Sequence, residues 1–181
     1  MMTVIVIVVI LIVAIIGGII YMVSKQEKSK AKIGSAVDVQ NDVLVLDSNE
    51  NLALSGGIGN NLFIIDTIAK LPEPEEENTK KVIDDFQRWT GTAKGQLKRK
   101  NANLCIDIAG GSFVDGAQVI QSPCTNAITQ QWAFSDNSQI QSKTKPNLCI
   151  GLNVIEKMQK LELQECKDIP NQKWAILSNE E

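Results

Sequence analysis

The chain carries four cysteines, Cys105, Cys124, Cys149 and Cys166, and no histidine. Cysteines can bridge or hold zinc, but a zinc site favours the short Cys-x-x-Cys knuckle, which these spacings lack. No metal site is expected. Four thiols leave three pairings open. The missing histidine removes the usual general base and the commonest metal ligand. There is no glycine-rich phosphate loop and no appended catalytic domain, so neither enzyme activity nor a cofactor is expected. A net charge of −3 over 181 residues is too mild to suggest a nucleic-acid partner. Two charge runs remain, the acidic Glu73-Pro74-Glu75-Glu76-Glu77 and the basic Lys98-Arg99-Lys100. Each reads as a solvated loop or hairpin edge, or as a dock for a partner of opposite charge.

The elements that would position such residues are visible in a repeat. All three tryptophans close the same tripeptide: Gln87-Arg88-Trp89, Gln130-Gln131-Trp132 and Gln172-Lys173-Trp174, with Trp spacings of 43 and 42. A second mark precedes each: Asn61-Leu62-Phe63-Ile64, Asn103-Leu104-Cys105-Ile106 and Asn147-Leu148-Cys149-Ile150, whose third residues lie 25 to 27 positions before the tryptophans. Leu104, Ile106 and Ile108 alternate as a half-buried strand requires, and Leu148, Ile150 and Leu152 repeat the pattern. Asp115-Gly116, Asp136-Asn137 and Lys145-Pro146 supply turns. Only Thr79 to Trp89 could be helical, with Val82, Ile83 and Phe86 on one face. Three units are too few for a propeller, and a solenoid has no need of the Trp mark. The expected fold is all-β, a β-trefoil of repeats at about 40–89, 90–132 and 133–181.

Residues 40–181 resemble the ricin B-type lectin family, whose repeats carry the Gln-x-Trp signature. The resemblance implies that Trp89, Trp132 and Trp174 build a shared core. It also implies bridges within repeats, Cys105–Cys124 and Cys149–Cys166, each closing a loop for about 3 kcal/mol. Phe63 and Lys81 are expected at the cysteine places of the first repeat. Sugar-binding members use an Asp two residues after the first cysteine, an aromatic plate, an Asn and the signature Gln. By that pattern the carbohydrate-binding candidates are Asp107 and Gln130 in the second repeat, Asn171 and Gln172 in the third. Ser122 and Gln164 stand where the plate should be, Thr129 replaces the Asn, Gly151 replaces the Asp, and the first repeat offers Ile65 followed by Asp66. No repeat has its stacking aromatic, which favours a protein partner over a glycan.

Val4 to Val23 carry no charge. Twenty residues at about 1.5 Å rise make roughly 30 Å of helix, the thickness of a bilayer core. Residues 1–24 are therefore expected to be a single transmembrane anchor rather than a signal peptide, since no basic n-region precedes the run. Residues 25–39 form a linker in which Lys25, Lys28, Lys30 and Lys32 favour a cytosolic trefoil. No Asn-x-Ser/Thr acceptor opposes that orientation. Paired cysteines point instead to an oxidising side, an extracellular or lumenal face. A virion component joining an internal membrane to a capsid shell would satisfy both. The expected function is a membrane-held, non-catalytic interaction module, with a membrane-bound lectin as the alternative.

Overall fold

The computed structural model describes residues 39–57, 59–67 and 77–178. The expected membrane helix, residues 25–38 of the linker and residues 73–76 of the acidic run lie outside them. Among the described residues no helix is long and apolar enough to cross a membrane.

The first repeat comprises β1 (Gln40–Leu46), β2 (Asn49–Gly56), β3 (Leu62–Asp66), the helix α1 (Glu77–Gln87) and β4 (Arg88–Gly91). The second comprises β5 (Leu97–Arg99), β6 (Leu104–Ile108), β7 (Val119–Pro123) and β8 (Trp132–Phe134). The third comprises β9 (Ile140–Ser142), β10 (Leu148–Gly151), β11 (Glu162–Glu165) and β12 (Trp174–Leu177). Each Trp strand pairs antiparallel with the first strand of another repeat: β4 with β5, β8 with β9, and β12 with β1. The last pairing joins the last strand of the trefoil to its first. With β1 on β4, and with Trp132 N–H to Gly95 O and Trp174 N–H to Ser138 O, the six strands close a ring. The other six form three hairpins, β2–β3, β6–β7 and β10–β11. This is a β-trefoil.

Strand alternation sorts the core. In β1, Leu44 and Leu46 join the main cluster, while Val43 and Val45 face a smaller one with Ala53 and Ala175. All three tryptophans are fully buried. Each indole donates to a hairpin carbonyl: Trp89 to Leu54 O at 3.2 Å, Trp132 to Ile106 O at 3.0 Å and Trp174 to Ile150 O at 3.1 Å.

Those bonds correct the expected alignment of the first repeat. Leu54 is the counterpart of Ile106 and Ile150, so the second mark there is Asn51-Leu52-Ala53-Leu54, on β2. Asn61-Leu62-Phe63-Ile64 runs into β3 instead. Thr67 N–H donates to Asn51 O just as Cys124 N–H does to Asn103 O and Cys166 N–H to Asn147 O. Ala53 and Thr67, not Phe63 and Lys81, therefore hold the cysteine places. Counting back from Trp89 misleads because Gln87 follows Thr67 by 20 positions, whereas Gln130 and Gln172 follow their cysteines by 6. The insertion carries α1.

The hairpins interlock in one rotational sense. The β2–β3 loop meets β7 through Gln121 N–H to Asn60 O at 2.9 Å. The β6–β7 loop meets β11 through Gly116 N–H to Leu163 O at 2.8 Å and Leu163 N–H to Ala117 O at 2.7 Å. The β10–β11 loop meets β3 through Met158 N–H to Ile64 O at 2.8 Å.

Candidate functional site

The three repeats place equivalent residues at the mouth of each hairpin. Following the second mark, the acid position holds Ser55, Asp107 and Gly151. The plate position, opposite the first cysteine place in register, holds Ile65, Ser122 and Gln164. The residue before the signature glutamine is Phe86, Thr129 or Asn171. Sequence counting had put Ile65 and Asp66 at the acid position of the first repeat. The insertion explains that misplacement too.

Both bridges are formed, Cys105–Cys124 and Cys149–Cys166. Each pins the strand carrying the acid position to the segment leading into the signature glutamine.

In the second repeat the glutamine is structural. Gln130 is 1% exposed; its Nε2 donates to Asp107 Oδ2 at 3.0 Å and to Pro123 O at 2.9 Å. Its Oε1 accepts from Thr125 N–H at 2.8 Å and from Gln96 Nε2 at 3.0 Å. Asp107 is held by its own chain: Ser122 Oγ donates to Oδ2, and the Ile108 N–H donates to Oδ1 at 2.7 Å. Burial works against its charge. Hydrogen bonds from Ser122, Thr129, Gln130 and the Ile108 N–H outweigh burial and hold the carboxyl below the usual carboxylate range. Asp107 and Gln130 are thus brought together, but as a closed loop clasp whose lone pairs are largely spent.

The third repeat solves the same problem differently. Gln172 is 1% exposed, and its Nε2 donates to Glu165 O at 3.0 Å and to Gln164 Oε1 at 3.1 Å. Gln164 reaches over Gly151, where a Cβ would lie 2.5 Å from its Oε1. The amide has taken the room the acid would need. Lys167 N–H and Gln139 Nε2 bond Gln172 Oε1 at 2.7 and 3.2 Å. Asn171 Nδ2 ties Leu152 O at 3.1 Å and Asn153 O at 3.3 Å. Around these residues opens a groove of about 280 Å³, lined also by Glu162, Glu165, Ile169 and, from the second repeat, Asp115. Sequence reasoning placed Gln164 at the plate position but missed Asn153 and Glu162 as groove residues. It also missed Gln96 and Gln139, though a signal existed: each precedes a signature glutamine by 33 or 34 positions.

The basic run is not a free dock. Lys100 Nζ pairs with Asp84 of α1 at 2.7 Å, and Asp84 also holds Arg88. Burial opposes the charge of Asp84, but bonds from Lys100 and Arg88 lower its pKa below the ordinary value. Arg99 turns inward, its guanidinium 4.5 Å from the Phe86 ring and its Nη1 2.9 Å from Gln121 Oε1. Burial pulls the Arg99 pKa down, and Asp85 partly restores it. The run clamps the inserted helix onto the trefoil.

Comparison with known proteins follows the same lines. The ricin-type beta-trefoil lectin domain model matches residues 76–181. Calcium up-regulated protein D of Dictyostelium discoideum is 38% identical over 71 residues, 36% of this chain and 11% of that protein. An uncharacterized protein of Mycobacterium tuberculosis is 27% identical over 82 residues, 45% of this chain and 48% of that one. The chain thus spans less than half the length of these curated relatives. Among solved structures, the agglutinin from Abrus precatorius superposes with a TM-score of 0.59 at 18% identity, over 78% of this chain and 48% of that one. The C-half of the earthworm R-type lectin, in complex with GalNAc, gives 0.58 at 15%, over 76% and 98%. At these identities the structural likeness concerns the fold alone.

Proposed function

We propose, from the premise that this chain belongs to the ricin-type beta-trefoil lectin domain family, that it is a non-catalytic recognition module held at a membrane and working through the third-repeat groove. One observation carries the choice of site. The Asp107 carboxylate is occupied by donors of its own chain, whereas the equivalent mouth of the third repeat stays open. A ligand reaching Asp107 would have to displace Ser122 and Gln130, losing about as many hydrogen bonds as it formed. The uncharged run from Val4 to Val23 supports the tether. Juxtamembrane lysines only bias insertion, while bridges persist only where an oxidant maintains them, so we place the trefoil on an oxidising, extracellular or lumenal face. The relatives and structures named above lend no support to a virion setting.

The test is a glycan array and a panel of purified surface proteins, probed with the full chain in detergent micelles. Asp107→Ala should leave retention unchanged. Ile169→Arg, at the exposed rim of the groove, should abolish it. The opposite outcome would restore a lectin working through Asp107.

A further inference from the structure

The groove's hydrogen bonds run in one direction. Gln172 donates to Gln164, Gln164 Nε2 donates to Asn153 Oδ1 at 3.0 Å, and Asn153 Nδ2 donates to Glu162 Oε2 at 2.8 Å. Both amide hydrogens of Asn171 are spent on Leu152 O and Asn153 O, and both of Gln172 on Gln164 and Glu165 O. Donors are therefore consumed inside the wall. Acceptors are left over on the lining residues. Asp115 uses Oδ1 for the Glu165 N–H at 2.9 Å, and among the described residues nothing donates to its Oδ2. The same is true of the second oxygen of Glu162, the carboxylate of Glu165 and the Asn171 Oδ1. Against three carboxylates the lining residues offer one cation, Lys167, which forms no ion pair with a described residue. One spare amide hydrogen each on Gln164 and Asn153 completes the donor side.

We infer that this groove takes a cationic, donor-rich group: a primary ammonium flanked by hydroxyl or amide donors, rather than a neutral sugar. The inference rests on the groove being the binding site. An ammonium brings three donors and a positive charge, matching the unspent acceptors without needing an aromatic plate. A neutral hexose could donate its hydroxyl hydrogens to these carboxylates but brings no charge to match them. Gly151 fits the scheme, since an acid side chain there would displace Gln164 and break the relay. Such an ammonium could sit on a hexosamine with a free amine or on a lysine side chain.

The experiment follows backbone amide signals of the full chain in micelles while glucosamine, N-acetylglucosamine or Nα-acetyl-lysine methylamide is titrated in. Glucosamine should shift the signals of Gly116, Glu165 and Asn171 at concentrations about tenfold lower than N-acetylglucosamine does. That preference should shrink as salt rises from about 0.05 to about 0.5 M. Glu162→Gln with Glu165→Gln should erase it while the remaining spectrum stays folded. Tighter binding of the lysine derivative would assign the cation to a protein. If N-acetylglucosamine shifts the groove equally well, the groove stands as a binding site and the charge inference fails. If none of the three shifts groove residues, the charge inference fails, while loss of array retention in Ile169→Arg still decides whether the groove is the binding site.

Discussion

Trp132 buries its whole indole and donates its one N–H to Ile106 O, so it joins the ring to the hairpin above it. Trp132→Ala should cost roughly 3–5 kcal/mol in urea unfolding, the range for a buried aromatic leaving a cavity. Asp107 makes a different prediction. Its folded carboxyl titrates below the unfolded one, so its contribution is complete above about pH 4 and is lost as pH falls through the depressed value. The stability gap between the natural protein and Asp107→Asn should therefore hold from about pH 7 down to about pH 4 and narrow below that. A gap that stayed constant would show that the clasp does not depend on the charge. The sequence pointed to Asp107 and Gln130 as candidates for one sugar site in the second repeat. It could not show that Ser122 would close over them, because that depends on a hydroxyl reaching across a hairpin register.

At the scale of elements, the inserted helix shows both how far sequence reading goes and where it stops. The amphipathic spacing of Ile83 and Phe86 made α1 visible, and its end at Gln87 coincides with the signature. Its partners were not visible. Lys98-Arg99-Lys100 looks like a solvated edge until Asp84, Asp85 and Phe86 are brought opposite it, some 15 residues upstream. Asp84→Asn should cost about 1 kcal/mol, modest because solvent screens these partly exposed pairs. Far-ultraviolet dichroism should show lost helix while the strand signal persists. The bridges matter more. Replacing Cys149 and Cys166 together by Ser should cost about 3 kcal/mol in denaturant unfolding. The same insertion hid the true second mark of the first repeat, since Ala53 and Thr67 carry no sulfur to betray their places.

Over the whole molecule, closure is what the tryptophan period foretold. The β12–β1 pairing joins residues about 130 apart and leaves the ring no free edge. Long-range contacts of this kind make partial structures costly, so unfolding should be a single transition. Tryptophan fluorescence and far-ultraviolet dichroism should give coincident denaturation curves. Separate transitions for the three repeats would contradict the interlocked ring.

The sense of that interlocking decides who owns each site. Asp115 comes from the second repeat yet lines the groove of the third, because each hairpin loop lies across the third strand of another repeat. No repeat owns a complete site. A single repeat of about 42 residues taken alone would lack one wall of such a groove, which a neighbouring repeat supplies. Within one chain each mouth can differ from the other two. The second is a sealed clasp, the first carries a helix, and the third is open.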